Sequence, residues 1–188
     1  MSITKTPLAI LDLTQGHEAY WQLIGAKGRN MVRKAEKLGY NFAQFPWNDR
    51  IDDIFAVNTS MSHRGGKEMT AGYRQRPPTI GSSAFCELQL RKYYGAFKDG
   101  RLYAYIVLVV FGHFATINTI LGHGDHLKDG IMNGLIDFLA RDLVRDGKVR
   151  YVNYLTLKGG REGLDSFKRR VGFEERQTIF LSGISRVA

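Results

Sequence analysis

In the segment Gly-His-Gly-Asp-His-Leu-Lys-Asp-Gly that starts at Gly122, His123 and His126 flank Asp125. An imidazole beside a carboxylate is suited to general-base work near neutral pH, because its proton affinity lies close to that of the medium. The same residues are equally a turn whose histidines cap backbone groups. Arg64, Arg74 and Arg76 fall in SHRGGKEMTAGYRQRPPTIGSS, which has little periodicity. Their planar guanidinium forks could each grip a carboxylate or phosphate through two hydrogen bonds, or could simply belong to a solvated basic loop. Two cationic clusters, Arg29, Arg33, Lys34 and Lys37 in one and Lys168 to Arg170 in the other, offer phosphate contacts; each is also what a solvated helix face looks like. The single cysteine, Cys86, has no evident histidine partner, so thiolate chemistry is not expected.

The balance of 27 Lys+Arg against 18 Asp+Glu gives +9, which favours anionic partners such as phosphates, nucleotides or RNA. At 188 residues and 44% apolar composition, one domain over residues 1–188 is expected. No basic stretch followed by a long apolar run opens the chain, and no window approaches the ~20 apolar residues of a membrane span. A lone cysteine excludes an internal disulfide and a thiolate metal site, so no metal and a reducing, cytoplasmic setting are expected, without a membrane partner.

The elements that must position these groups follow from periodicity. Tyr20 and Trp21 lead into AKGRNMVRKAEKLGY, where Met31, Ala35 and Leu38 recur at helical spacing, with Gly39 as its stop. Tyr40 to Phe45 alternates like a short strand, and a helix is expected from Ile51 to Met61. An irregular segment from His63 to Ser83 precedes a short helix at Ala84 to Arg91. Three strands follow, Lys92 to Lys98, Leu102 to Phe111 and Phe114 to Leu121, joined by Asp99-Gly100 and Gly112-His113 as an antiparallel meander. Ile131, Leu135, Phe138, Leu139 and Leu143 mark the clearest helix, which Gly147 ends. Val149 to Leu157 reads as a strand, Leu164 to Val171 as a helix and Phe173 to Leu181 as a last strand.

That order resembles the GNAT acyltransferases: an α/β (α+β) domain with a mixed central sheet of about six to seven strands flanked by helices. RNMVRKAEKLGY resembles the Arg-rich helix of the Fem-type branch, and Gly163 to Phe173 matches the Gly-Leu-x-x-Phe-Lys-x-x-x-Gly-Phe segment of the same branch without a gap. The resemblance covers roughly Tyr20 to Leu181. Fem-type enzymes usually carry two such domains, whereas this sequence has length for one.

The resemblance implies an N-acyltransferase in which an amine, on a small molecule or a peptide, attacks an activated acyl group directly. The central strand would splay from its neighbour, and the next helix N-terminus would receive the pyrophosphate of an acyl-CoA donor. Gly122, Gly124 and Gly130 would allow close backbone approach and Lys128 would add charge, with Asn118, Thr119, Ser166 and Lys168 completing the donor side. Leu127 and Met132 depart from the acyl-CoA loop pattern at the positions of an Arg or Gln and of a small residue. Aminoacyl-tRNA, the Fem-type donor, is the alternative, and a non-catalytic RNA- or nucleotide-binding module is the third reading. His123, Asp125 and Tyr154 are the implied catalytic groups, and His63, Arg64, Lys67 and Arg74 the implied acceptor-binding groups.

Overall fold

The run LYAYIVLVV is almost free of polar residues, as a strand covered on both faces requires. The computed structural model describes residues 2–64, 66–81, 90–157 and 162–182, and in it this run lies inside a seven-stranded mixed sheet. The strands are β1 (Ser2–Asp12), β2 (Asn41–Gln44), β5 (Leu90–Lys98), β6 (Arg101–Phe111), β7 (Phe114–Gly122), β8 (Tyr151–Asn153) and β9 (Glu174–Ser182). Their order is β2-β5-β6-β7-β8-β1-β9, and β3 (His63–Arg64) and β4 (Lys67–Glu68) form a separate small hairpin. Asp99 and Gly100 both have positive φ, so the β5–β6 link has the twist that a two-residue hairpin needs.

Every neighbouring pair in the large sheet is antiparallel except β7 and β8. A parallel pair needs a long crossover, which helix α4 (Ile131–Asp146) supplies. Ala104, Ile106 and Leu108 of β6 share a core with α4, with α1 (Gly16–Leu23) and α2 (Gly25–Lys37) and with the residues that follow α5 (Glu162–Arg170). Tyr105 and Val107 point to the other face, where Ile54 and Val57 of α3 (Ile51–Thr59) cover them. Helix α3 thus stands alone on its face among the described helices.

Several expectations need correction. The stripe of α2 is Gly28, Val32 and Ala35; Leu38 is largely exposed, and Arg29 turns back to donate to the Trp21 carbonyl at 3.0 Å. The strand expected from Val149 to Leu157 is only Tyr151–Asn153, because Leu155 takes a φ of 54°, a turn that extended pairing cannot accommodate. Within the irregular segment, β3, β4 and a 3-10 turn at Ala71–Arg74 are formed. The helix expected at Ala84 to Arg91 falls mostly outside the described residues, as does Cys86, while Leu90 and Arg91 already belong to β5.

Strand β1 was absent from the sequence reading. It lies between β8 and β9, with Leu11 of β1 opposite Val152 and Leu8 opposite Arg176. Ala9 and Leu13 donate toward β8, to Leu155 and Arg150, so the alternation of a strand aims the nitrogen of Pro7 toward β8 as well. Beyond Leu155 no described strand pairs with that edge of β1, so the missing N–H of Pro7 costs no ladder bond.

Candidate functional site

β7 and β8 pair at only three positions, Phe114 with Tyr151, Ala115 with Val152 and Thr116 with Asn153. Beyond them β7 runs on to Gly122 paired with β6 alone. Its register shifts where Leu108 opposes Ile117 but Val107 opposes Thr119, leaving Asn118 as the extra residue of a bulge. The bulge and the turn at Leu155 open a gap between the two strands. Asn118 sits in the bulge, exposed, with its amide 3.4 Å from the hydroxyl of the partly buried Thr119.

On the helix side of the sheet, Lys168 lies against the chain that follows β8. Helix α5 buries Asp165 and Lys168, three residues apart, and leaves Ser166 exposed. Gly172 ends the turn that follows at a φ of 91°, a conformation natural to glycine, and Phe173 then enters the core. The Phe173 ring stands 5.7 Å from that of Tyr154, and the Lys168 ammonium lies 4.5 Å from the Tyr154 centroid while donating to the Thr156 carbonyl at 2.7 Å. The Phe-Lys-x-x-x-Gly-Phe motif is therefore a device that turns one lysine inward at the end of β8. Burial pulls the Lys168 pKa below its ordinary value, and nearby Asp165 partly offsets this. Ser166, the other expected donor-side residue of α5, lies on its solvent side.

The other rim is the turn after β7. His123 Nδ1 is buried without a hydrogen-bond partner and lies 3.9 Å from Asp125, whose side chain is 88% exposed. That separation exceeds a hydrogen bond, so the expected base pair is not assembled in this geometry. His123 instead belongs to an aromatic group with Tyr103 and His126, the last two with centroids 4.1 Å apart. The Tyr40 hydroxyl donates to Asp129 at 3.0 Å, and with its single proton so used it accepts from His126 Nδ1. Burial, reinforced by His123, holds the His126 pKa below its ordinary 6.5. The unfolded chain then binds the proton more readily than the folded one. Stability is expected to fall as pH drops below 6.5, and His126→Gln to flatten that slope in urea titrations at pH 7.5 and 5.5.

The glycines of this turn are approached by the chain's own atoms. A Cβ on Gly122 would meet Met132 and Leu127, one on Gly124 would meet Met61, and one on Gly130 would fall 2.2 Å from the Met31 carbonyl oxygen. Lys128 is exposed, and its carbonyl accepts from Lys34 at 2.8 Å. Helix α2 thus rests against the start of α4, where the sequence reading put a pyrophosphate. On the side a Cβ would occupy, these glycines pack against Met132, Leu127, Met61 and Met31.

Of the expected acceptor group, Arg64 is half-buried and donates to the carbonyls of Gly122 at 2.8 Å and Val57 at 3.1 Å. It ties α3 to the turn after β7, so its fork is not presented to an acceptor. His63, Lys67 and Arg74 are exposed on the small hairpin and the turn beyond it, with Arg74 paired to Glu68 and Arg76 to Asp52. Sequence reasoning missed Asn153, at the last paired position of β8, and Tyr40 and Tyr103, which contact His126 in the turn after β7. Asn153 carried one signal, an amide inside an otherwise strand-like run.

Among the described residues no three His, Cys, Asp or Glu side chains gather as a metal site, and no helix is long and apolar enough to cross a membrane. Solved structures superpose on this fold over most of the chain. FemX superposes with a TM-score of 0.70 at 9% identity, over 90% of this chain and 59% of that one. A GCN5-related N-acetyltransferase from Kribbella flavida superposes at 0.50 with 14% identity, over 94% of this chain and 58% of that one. The chain has the GNAT fold. Within it, a C-terminal domain (DUF2156) assigned to a lysylphosphatidylglycerol synthetase from Agrobacterium fabrum gives 0.60 at 18% identity, over 95% of this chain and 60% of that one. The GNAT-fold neighbours thus include the Fem-like branch, and this chain spans about 60% of their length. No family model and no curated protein matches the sequence.

Proposed function

We propose that this GNAT-fold protein transfers an aminoacyl group from a tRNA ester to an amine. The observation that carries the reading is the splayed β7–β8 pair with a buried lysine turned into its helix face. An ester carbonyl held in the gap would take a hydrogen bond from Lys168, whose ammonium has N–H groups beyond the one on Thr156. As the amine nitrogen attacks, a C–N bond forms and the C–O bond to the ribose breaks. One proton passes from the amine to the departing ribose oxygen, giving an amide and uncharged tRNA. Tyr154 supports the lysine with its ring face.

Two features favour an RNA ester over acyl-CoA. The start of α4, where a CoA pyrophosphate would bind, lies against Met31. Lys27, Arg33, Lys34 and Lys37 stand exposed on α2, the helix that runs between that start and α5, and they suit a phosphate backbone. Acyl-CoA remains the second donor, since the parting of β7 and β8 does not itself favour an ester over a thioester.

Thermal shift at fixed salt separates these donors, using bulk aminoacyl-tRNA, the same tRNA uncharged, acetyl-CoA and CoA. Greater stabilisation by charged than uncharged tRNA is expected, with no response to either CoA species. Saturable stabilisation by acetyl-CoA alone would move the reading to an acyl-CoA enzyme. Equal responses to charged and uncharged tRNA, with no amide formed, would leave a basic RNA-binding module.

A further inference from the structure

Asn153 is the last residue of β8. Its neighbour Val152 enters the core beneath the helices, so alternation sends Asn153 to the other face, with Ile10 of β1 opposite it and Thr116 of β7 beside it. It is 9% exposed, and its Oδ1 is buried without a hydrogen-bond partner. A carbonyl oxygen withdrawn from water and given no donor is costly, and a valine would fill a strand position without that cost.

A groove of about 300 Å³ lies on the same face, lined by Ile10, which stands opposite Asn153, and by Tyr151, two residues back on its strand. Phe114 and Tyr151 line it together with Ile10, and Asp12, Arg176 and Thr178 edge it. Hydrogen bonds from the Thr14 side chain at 2.6 Å and backbone at 2.9 Å hold the Asp12 carboxyl below its ordinary pKa, so it is ionised at neutral pH. Arg176 donates to Glu174 at 3.0 Å and its charge also helps to hold Asp12 ionised, so Asp12 is the carboxylate and Arg176 the guanidinium at the groove's edge.

We propose that Asn153 binds the attacking amine, and that the acceptor is a primary amine on a flat apolar body lying over Tyr151 and Phe114. The proposal rests on the transferase reading for its chemistry: the donor carbonyl comes to the gap from the helix face and the amine from this one. Asn153 Oδ1 accepts a hydrogen bond from the amine and aims its lone pair through the gap. Residues two apart on a strand are separated by about 6.6 Å, so an amine at Asn153 places a two-carbon-linked ring near Tyr151. Asp12 draws the amine in as its ammonium, which gives one proton to water in the open groove before its lone pair attacks, and the two rings suit a cation as well as an apolar body.

Phenethylamine and ethylamine are the probes. In the 15N-labelled 188-residue chain without donor, phenethylamine is expected to shift the Asn153 side-chain amide signal saturably, and ethylamine to need at least ten-fold higher concentration. Asn153→Val should weaken phenethylamine binding by about ten-fold or more while its melting temperature equals or exceeds that of the parent. Asn153→Asp, with a full charge facing the ammonium, should bind several-fold tighter yet transfer more slowly. A phenethylamine response that Asn153→Val leaves unchanged would overturn the proposal, as would a lowered melting temperature in that variant with binding intact. Amine binding at Asn153 without transfer from any donor would sink the transferase reading and keep the amine site. Transfer by Asn153→Val at the parent KM for phenethylamine would do the reverse.

Discussion

Lys168→Met is expected to leave a folded protein whose transfer rate is lower by a factor on the order of 10² to 10³, the usual loss when a donor to a developing oxyanion is removed. Methionine matches the length and fills the same apolar surroundings without a charge. Two stability effects oppose each other: the Thr156 carbonyl loses its donor, and a desolvated ammonium is no longer held inside. The net change should stay within about 2 kcal/mol. A pH series separates this from simple loss of structure. Because the folded pKa of Lys168 lies below 10.5, the unfolded chain binds more protons in the window between the two values, and parent stability rises with pH up to 10.5. Lys168→Met should lose that slope. Full activity in the variant, with the charged-tRNA response intact, would remove Lys168 from the mechanism.

Gly130→Ala should be the most damaging small substitution in the turn after β7. Its φ of 83° disfavours any side chain, at about 1–2 kcal/mol. The added Cβ would also lie 2.2 Å from the Met31 carbonyl oxygen, which is backbone of a packed helix and cannot swing aside. Overpacking of this kind adds about 1–3 kcal/mol. A total of about 2–5 kcal/mol is a large share of the stability of a domain this size. Urea denaturation measures it directly; Gly147→Ala is the control, since its φ is 72° but nothing lies within 4 Å of the added Cβ. Equal losses in both variants would mean that the contact between α2 and α4 is not tight.

Much of the scaffold was legible because strong local signals coincided with the final environment. β5, β6 and β7 are joined by short turns, so residues near in sequence pair with one another, and the apolar run of β6 agrees with its place inside the sheet. The stripe of α4 is likewise the face it buries. β1 was missed because its partners are remote: it pairs with β8 and β9 from the far end of the chain, and a proline in SITKTPLAILD argues against a strand unless one knows that its nitrogen meets no partner.

For the candidate site the division is sharper. By itself the sequence determined the order of elements, the basic surplus and the motif that brings Lys168 inward, because each depends on residue type and spacing along one stretch of chain. It pointed to His123 and Asp125 because they are adjacent, yet adjacency does not orient side chains, and Asp125 turns to solvent. Only the tertiary structure decided that Asn118 sits in a bulge, that Met31 lies against the start of α4, and that Asn153 keeps an unpaired oxygen beside the gap. Each of these is a relation between segments far apart in sequence. Their contacts exist once the sheet has closed around β1, so no local pattern encodes them.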